Sequence, residues 1–79
     1  MGEDRIKPVS RGLFERFLQE TGCTLKRTKG DHLVYVRGGL PRPIILQAKK
    51  EVQPFIIRSN LKTLGISSDE YLQILRRLK

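Results

Sequence analysis

Apolar residues recur along this chain with two different periods, and the period changes at breaks rich in glycine and proline. Over residues 9–22, Leu13, Phe14, Phe17 and Leu18 fall at the spacing of one helix face, with Ser10 placed as N-cap and Gly22 as a stop. That aromatic stripe reads as core. From 23 to 28 the period drops to two, Thr24, Lys26 and Thr28 alternating with Cys23, Leu25 and Arg27, as in a strand that buries only part of itself. Lys29-Gly30-Asp31 makes a tight turn, since glycine reaches positive φ and aspartate hydrogen-bonds its own backbone. A second strand follows over 32–37, a Gly- and Pro-rich turn over 38–43 and a third strand over 44–48. Reversals this short join antiparallel neighbours, so the strands form a meander. In the central strand His32, Val34 and Val36 share one face and Leu33 and Tyr35 the other. Both sets are apolar enough to be the core, and the face left open would suit self-association or a protein partner.

Pro54 is well placed as a first helical residue, and Ile57, Leu61 and Leu64 then repeat at helical spacing with Ile56 beside them, up to Gly65. Arg58 and Lys62 sit four apart on another flank of the same helix. Ser67-Ser68-Asp69-Glu70 has the form of a capping box, and Tyr71, Ile74, Leu75 and Leu78 give a short last helix its apolar face. Arg76, Arg77 and Lys79 suit the negative end of that helix. The order helix, three strands, helix, short helix defines an α+β chain with a three-stranded antiparallel sheet and helices on one face, the architecture of small RNA-binding modules. With 79 residues, one domain spanning 1–79 is expected, its polar residues 1–8 forming a loose lead-in.

Charge narrows the partner. Sixteen Lys and Arg against eight Asp and Glu give +8, spread through the chain, and the natural counterpart is a polyanion, nucleic acid before membrane. A basic balance that serves only solubility is the competing explanation. Cys23 is alone, which excludes an intrachain disulfide and a Cys-rich metal site, so no metal or cofactor is expected. No apolar run approaches the roughly 20 residues of a membrane span. The N-terminal residues lack the apolar core of a signal peptide, and Ile6 stands where a myristoylation signal wants Ser or Thr, so a cytoplasmic protein is expected.

His32 is the single histidine, set where the basic turn enters an apolar strand. Imidazole exchanges protons near neutral pH, and a strand end beside a glycine turn holds such a group both rigid and accessible. A hydrogen-bonded edge residue is the plainer role for the same side chain.

Taken in order, the helix ending in Thr21-Gly22, Lys29-Gly30-Asp31-His32, Pro54 with Ile57-Arg58, Leu61-Lys62 and Gly65-Ile66-Ser67, and then Asp69-Glu70-Tyr71-Leu72, resemble the HicA (YcfA-like) family of toxin mRNA interferases. The resemblance runs from about Phe14 to Leu75 and implies a fold like a double-stranded RNA-binding domain, αβββα with an extra C-terminal helix. It also implies endoribonuclease activity on mRNA with His32 as the essential residue, and neutralisation by a small HicB-like antitoxin. Two departures stand out. Asp31 occupies the place where many members have Ser, and Gln47-Ala48-Lys49 replaces a segment that often carries a second histidine. A metal-free ribonuclease acts by proton transfer and by cationic stabilisation of the transition state, because RNA supplies its own 2′-hydroxyl nucleophile. His32 would transfer the proton. Arg27, Lys29, Arg37, Lys49 and Lys50, at strand ends or turns, would supply charge, with Arg58 and Lys62 tracking the phosphates and Gly30 letting backbone approach one. A non-catalytic RNA-binding module of the same fold and a domain that docks an acidic protein are the competing classes; a DNA-binding helix-turn-helix fits less well, since the helices joined at Gly65-Ile66-Ser67 are only modestly basic.

Overall fold

The computed structural model describes residues 5–79. Its elements are β1 (Val9–Ser10), α1 (Arg11–Glu20), β2 (Thr24–Lys29), β3 (His32–Val36), β4 (Ile44–Gln47), β5 (Glu51–Val52), α2 (Pro54–Leu64) and α3 (Ser68–Leu78). The central sheet is the antiparallel meander β2-β3-β4, so the α+β architecture with flanking helices follows the sequence expectation.

Local chemistry sets the ends of the helices. Ser10 Oγ accepts from the Leu13 N–H at 3.1 Å to start α1, which closes at Thr21 before Gly22 turns the chain at φ +92°. Pro54 opens α2, and Gly65 ends it in the left-handed region at φ +72°. Ser67 Oγ accepts from the Glu70 N–H at 3.1 Å, Asp69 and Glu70 lie in the first turn of α3, and Arg76 and Arg77 lie in its last. The last helix was expected to be short; it has 11 residues, as many as α2. The Ser67 cap and the positive charge of Arg76 and Arg77 in the last turn favour its two ends, and it packs on α1.

The core lies between this helical layer and one face of the sheet. Leu33 pairs with Leu46 and Tyr35 with Ile44, and all four are buried. Val34 pairs with Ile45 and His32 with Gln47 on the opposite face, where His32, Ile45 and Gln47 are exposed and Val34 is half-buried. Tyr35 helps decide between the two faces, because its hydroxyl reaches α1 and donates to the Glu15 carboxylate. Phe14, Phe17 and Tyr71 join α1 to α3, Phe17 meeting Tyr71 edge to face with ring centroids 4.9 Å apart.

Two features depart from the local pattern. A two-stranded ribbon pairs Val9 with Val52 and Ser10 with Glu51, tying the start of α1 to the approach to α2. No turn signal joins these segments, so periodicity does not reveal their pairing. In β2 the expected strict alternation is broken by a bulge: Leu25 opposes Tyr35, yet Arg27 opposes Val34. Leu25 therefore falls on the Tyr35 side of the sheet, where at the edge strand it stays 47% exposed, while Arg27 and Lys29 take the open face. Residues 1–4 of the expected lead-in lie outside the described residues. Of the remainder, Ile6 is buried in the core and Arg5 pairs with Asp69 at the start of α3.

Candidate functional site

The open face of the sheet is organised by the β2-β3 hairpin. Lys29 and His32 are directly paired across a two-residue loop, and Gly30 takes φ +60°, the sign that mirror-image hairpin turns require at their first central position. On its other side His32 is paired with Gln47 of β4. One row across the sheet therefore reads Lys29, His32, Gln47, and directly opposed residues on one face have Cβ atoms roughly 5 Å apart. The next row on this face is Arg27, Val34, Ile45.

The imidazole is half-exposed, and its Nδ1 lies 3.1 Å from Asp31 Oδ1. That contact orients the ring and leaves Nε2 as the nitrogen for an incoming group. Asp31 is itself fixed by its backbone, since its carbonyl accepts from the Ala48 N–H at 2.7 Å. Two depressions meet at His32. One, toward β2, is lined by Arg27, Lys29, Gly30, Asp31 and Val34. The other is a cleft of about 590 Å³ toward α2, lined by Ile45, Gln47, Lys49, Gln53, Phe55 and Ile56 among others.

The sequence-derived cations divide between the two ends of the sheet. Arg27, Lys29 and Lys49 gather with Gly30 about His32. Lys50 lies one residue further on, in the bend that leads to β5, where its carbonyl accepts from the Arg11 N–H at 2.8 Å. Arg37 follows the far end of β3, five residues and so roughly 17 Å from His32. There it is built into the frame: its Nη1 donates to the Thr21 carbonyl at 2.8 Å, closing the end of α1. Lys62 lines a depression with Arg42 and Pro41 of the β3-β4 loop, also away from His32. Arg58 lies exposed on α2.

Two residues at this site, Gln47 and Phe55, are not singled out for it by the sequence. Gln47 gains its place only through the β3-β4 register. Phe55 carried a visible signal, an aromatic directly after Pro54 and outside the apolar stripe of its helix. Among the described residues no group of three or more His, Cys, Asp or Glu side chains is placed to hold a metal ion, and no helix is long and apolar enough to cross a membrane. Compared with known families, residues 14–66 match the model described as HicA toxin of bacterial toxin-antitoxin, a span that takes in the whole open face and both depressions. Comparisons with curated proteins and with solved structures return no match.

Proposed function

The chain belongs to the HicA toxins of bacterial toxin–antitoxin systems, and on that premise we propose that it is an mRNA interferase, a metal-independent endoribonuclease of the cytoplasm with a double-stranded-RNA-binding-domain-like fold. The observation that carries this reading is the row Lys29, His32, Gln47 on the uncovered face of the sheet, with the imidazole oriented by Asp31.

In the reaction, the 2′-oxygen of one nucleotide attacks its own 3′-phosphorus and the P–O5′ bond breaks, leaving a 2′,3′-cyclic phosphate and a 5′-hydroxyl. Protons leave the 2′-hydroxyl and arrive at the 5′-oxygen, so the step needs proton transfer but no redox partner. Nε2 of His32 handles one of those protons and solvent water exchanges the other. Lys29, one strand away, and Arg27 on the next row stabilise the added negative charge on the phosphorane-like transition state. Lys49 and Lys50 hold the flanking phosphates, Gly30 lets the hairpin backbone approach them, and Arg58 and Lys62 meet a longer RNA further along the surface. Arg37 acts in the fold more than on RNA. A HicB-like antitoxin neutralises the toxin by covering this face.

The test is cleavage of total RNA by the wild-type chain and by His32→Ala. Loss of one positioned proton-transfer group should cost about 10²- to 10⁴-fold in rate. Equal cleavage by two folded proteins would remove His32 from the mechanism. A second reading, an RNA-binding module without catalysis, is favoured by one observation: His32 is the sole histidine, and its cross-strand neighbours are a lysine and a glutamine. RNA binding that survives His32→Ala, with no cleavage by excess wild-type protein, would select that reading.

A further inference from the structure

We propose that the cleft between His32 and α2 is a base-binding subsite that takes one unpaired nucleobase, stacked on Phe55, next to the phosphate held at His32. The proposal rests on the RNA-cleaving reading for its ligand and adds the strandedness of the substrate. A fold of this architecture leads one to expect recognition of duplex RNA by shape. The cleft asks for a single strand instead.

Phe55 is 69% exposed, the most exposed of the large apolar side chains among the described residues, and it takes no part in the core that Ile57, Leu61 and Leu64 build from the same helix. Pro54 before it fixes the backbone φ, so the ring stands on a rigid helix start and loses little entropy when a planar partner stacks on it. Ile45, 51% exposed, and Ile56 continue the apolar wall. A volume of about 590 Å³ lies within the range of small-molecule sites.

The polar groups on the lining match a base edge. Gln47 and Gln53 each bring an amide that both donates and accepts. Gln53 occupies the N-cap position of α2, but its side chain makes no capping hydrogen bond, so that amide remains available. Glu51, also on the lining, repels phosphate while accepting from amino groups, and together with the apolar wall it favours a neutral base inside the cleft. His32 lies where this cleft meets the neighbouring depression, Lys49 also lines the cleft, and Lys29 lies beyond His32. The cations that would follow the charged backbone therefore run from one depression into the other. A base inside a duplex has both faces covered by its neighbours; only an unpaired one presents a face to an aromatic ring.

Binding is measured with a short single-stranded RNA and with a duplex of the same sequence, in a His32→Ala background that keeps the RNA intact. Stacking of one base is lost in F55A, which should weaken single-strand binding roughly 5- to 100-fold and leave duplex binding unchanged. F55W should retain affinity, and because the chain contains no tryptophan its indole fluorescence reports the site alone and should be quenched by the single strand. Unaltered single-strand affinity in F55A, or unquenched F55W fluorescence at saturation, would overturn the subsite. So would equal weakening toward duplex and single strand. RNA affinity that is unchanged in F55A while antitoxin neutralisation is lost would give the cleft to the protein partner and also overturn it. Quenching without any RNA cleavage by the wild-type chain would uphold the subsite and remove only the ribonuclease reading.

Discussion

At the scale of single residues, the two tyrosines show how burial sets what a side chain contributes. Tyr35 is pushed up to about 12 by burial first and by its hydrogen bond to Glu15 next, and Tyr71 is pushed up to about 12 by burial. An unfolded tyrosine loses its proton near pH 10, so between about pH 10 and 12 the folded chain binds more protons than the unfolded one. Stability from these groups is complete below about pH 10 and is lost as pH rises through that window. Denaturant titrations at about pH 9 and pH 11 should show the fall, and Tyr71→Phe should make it less steep. The Tyr71 hydroxyl is buried with no hydrogen-bond partner among the described residues. Removing it should therefore leave stability at neutral pH unchanged or raise it by up to about 1 kcal/mol, measured as a denaturation midpoint. Neither property was legible in the sequence, where Tyr35 and Tyr71 appear only as members of apolar patterns. His32, by contrast, could be singled out from its type and its place after a glycine turn.

At the scale of elements, local signals located the turns and caps but not the bulge within β2 or the full length of α3. The meander, Ser10 as the cap of α1, Pro54 at the start of α2 and the Ser67 capping box are all written in short stretches. Ser67→Ala should cost about 1 kcal/mol of stability, seen as a lower melting temperature. The buried face of β3 could not be read this way, because apolar residues lie on both sides of it and the choice is made by packing against α1. Pairing of β1 with β5 was hidden for a related reason, the two strands being short and far apart along the chain. The same limit applies to Arg37, since nothing local in the sequence reveals that its Nη1 donates to the Thr21 carbonyl at the end of α1. Arg37→Ala should lower the melting temperature by several degrees and leave RNA affinity within about twofold, a pairing of outcomes that a phosphate contact would reverse.

For the whole molecule, the surplus of positive charge is known from composition, but its distribution is a tertiary property. Arg27, Lys29 and Lys49 converge at the His32 end, and Arg42 with Lys62 marks the opposite end. Each phosphate contact to a single strand contributes about 0.7 to the slope of log affinity against log salt. Alanine at both Lys29 and Lys49 should reduce that slope by about 1.4 for a short RNA, whereas alanine at both Arg42 and Lys62 should leave it unaltered. Salt titrations of the four-way set measure both.

The irregularity in β2 carries a consequence for how the chain tolerates changes in length. Lys26 is the spare residue: Leu25 keeps step with Tyr35 and Arg27 with Val34, while the lysine between them keeps step with neither. Excising Lys26 would bring Leu25 and Arg27 together in unbroken parity, each already on its proper side. Of all single-residue losses within that hairpin, this is the one that should leave the rank of Lys29 beside His32 undisturbed.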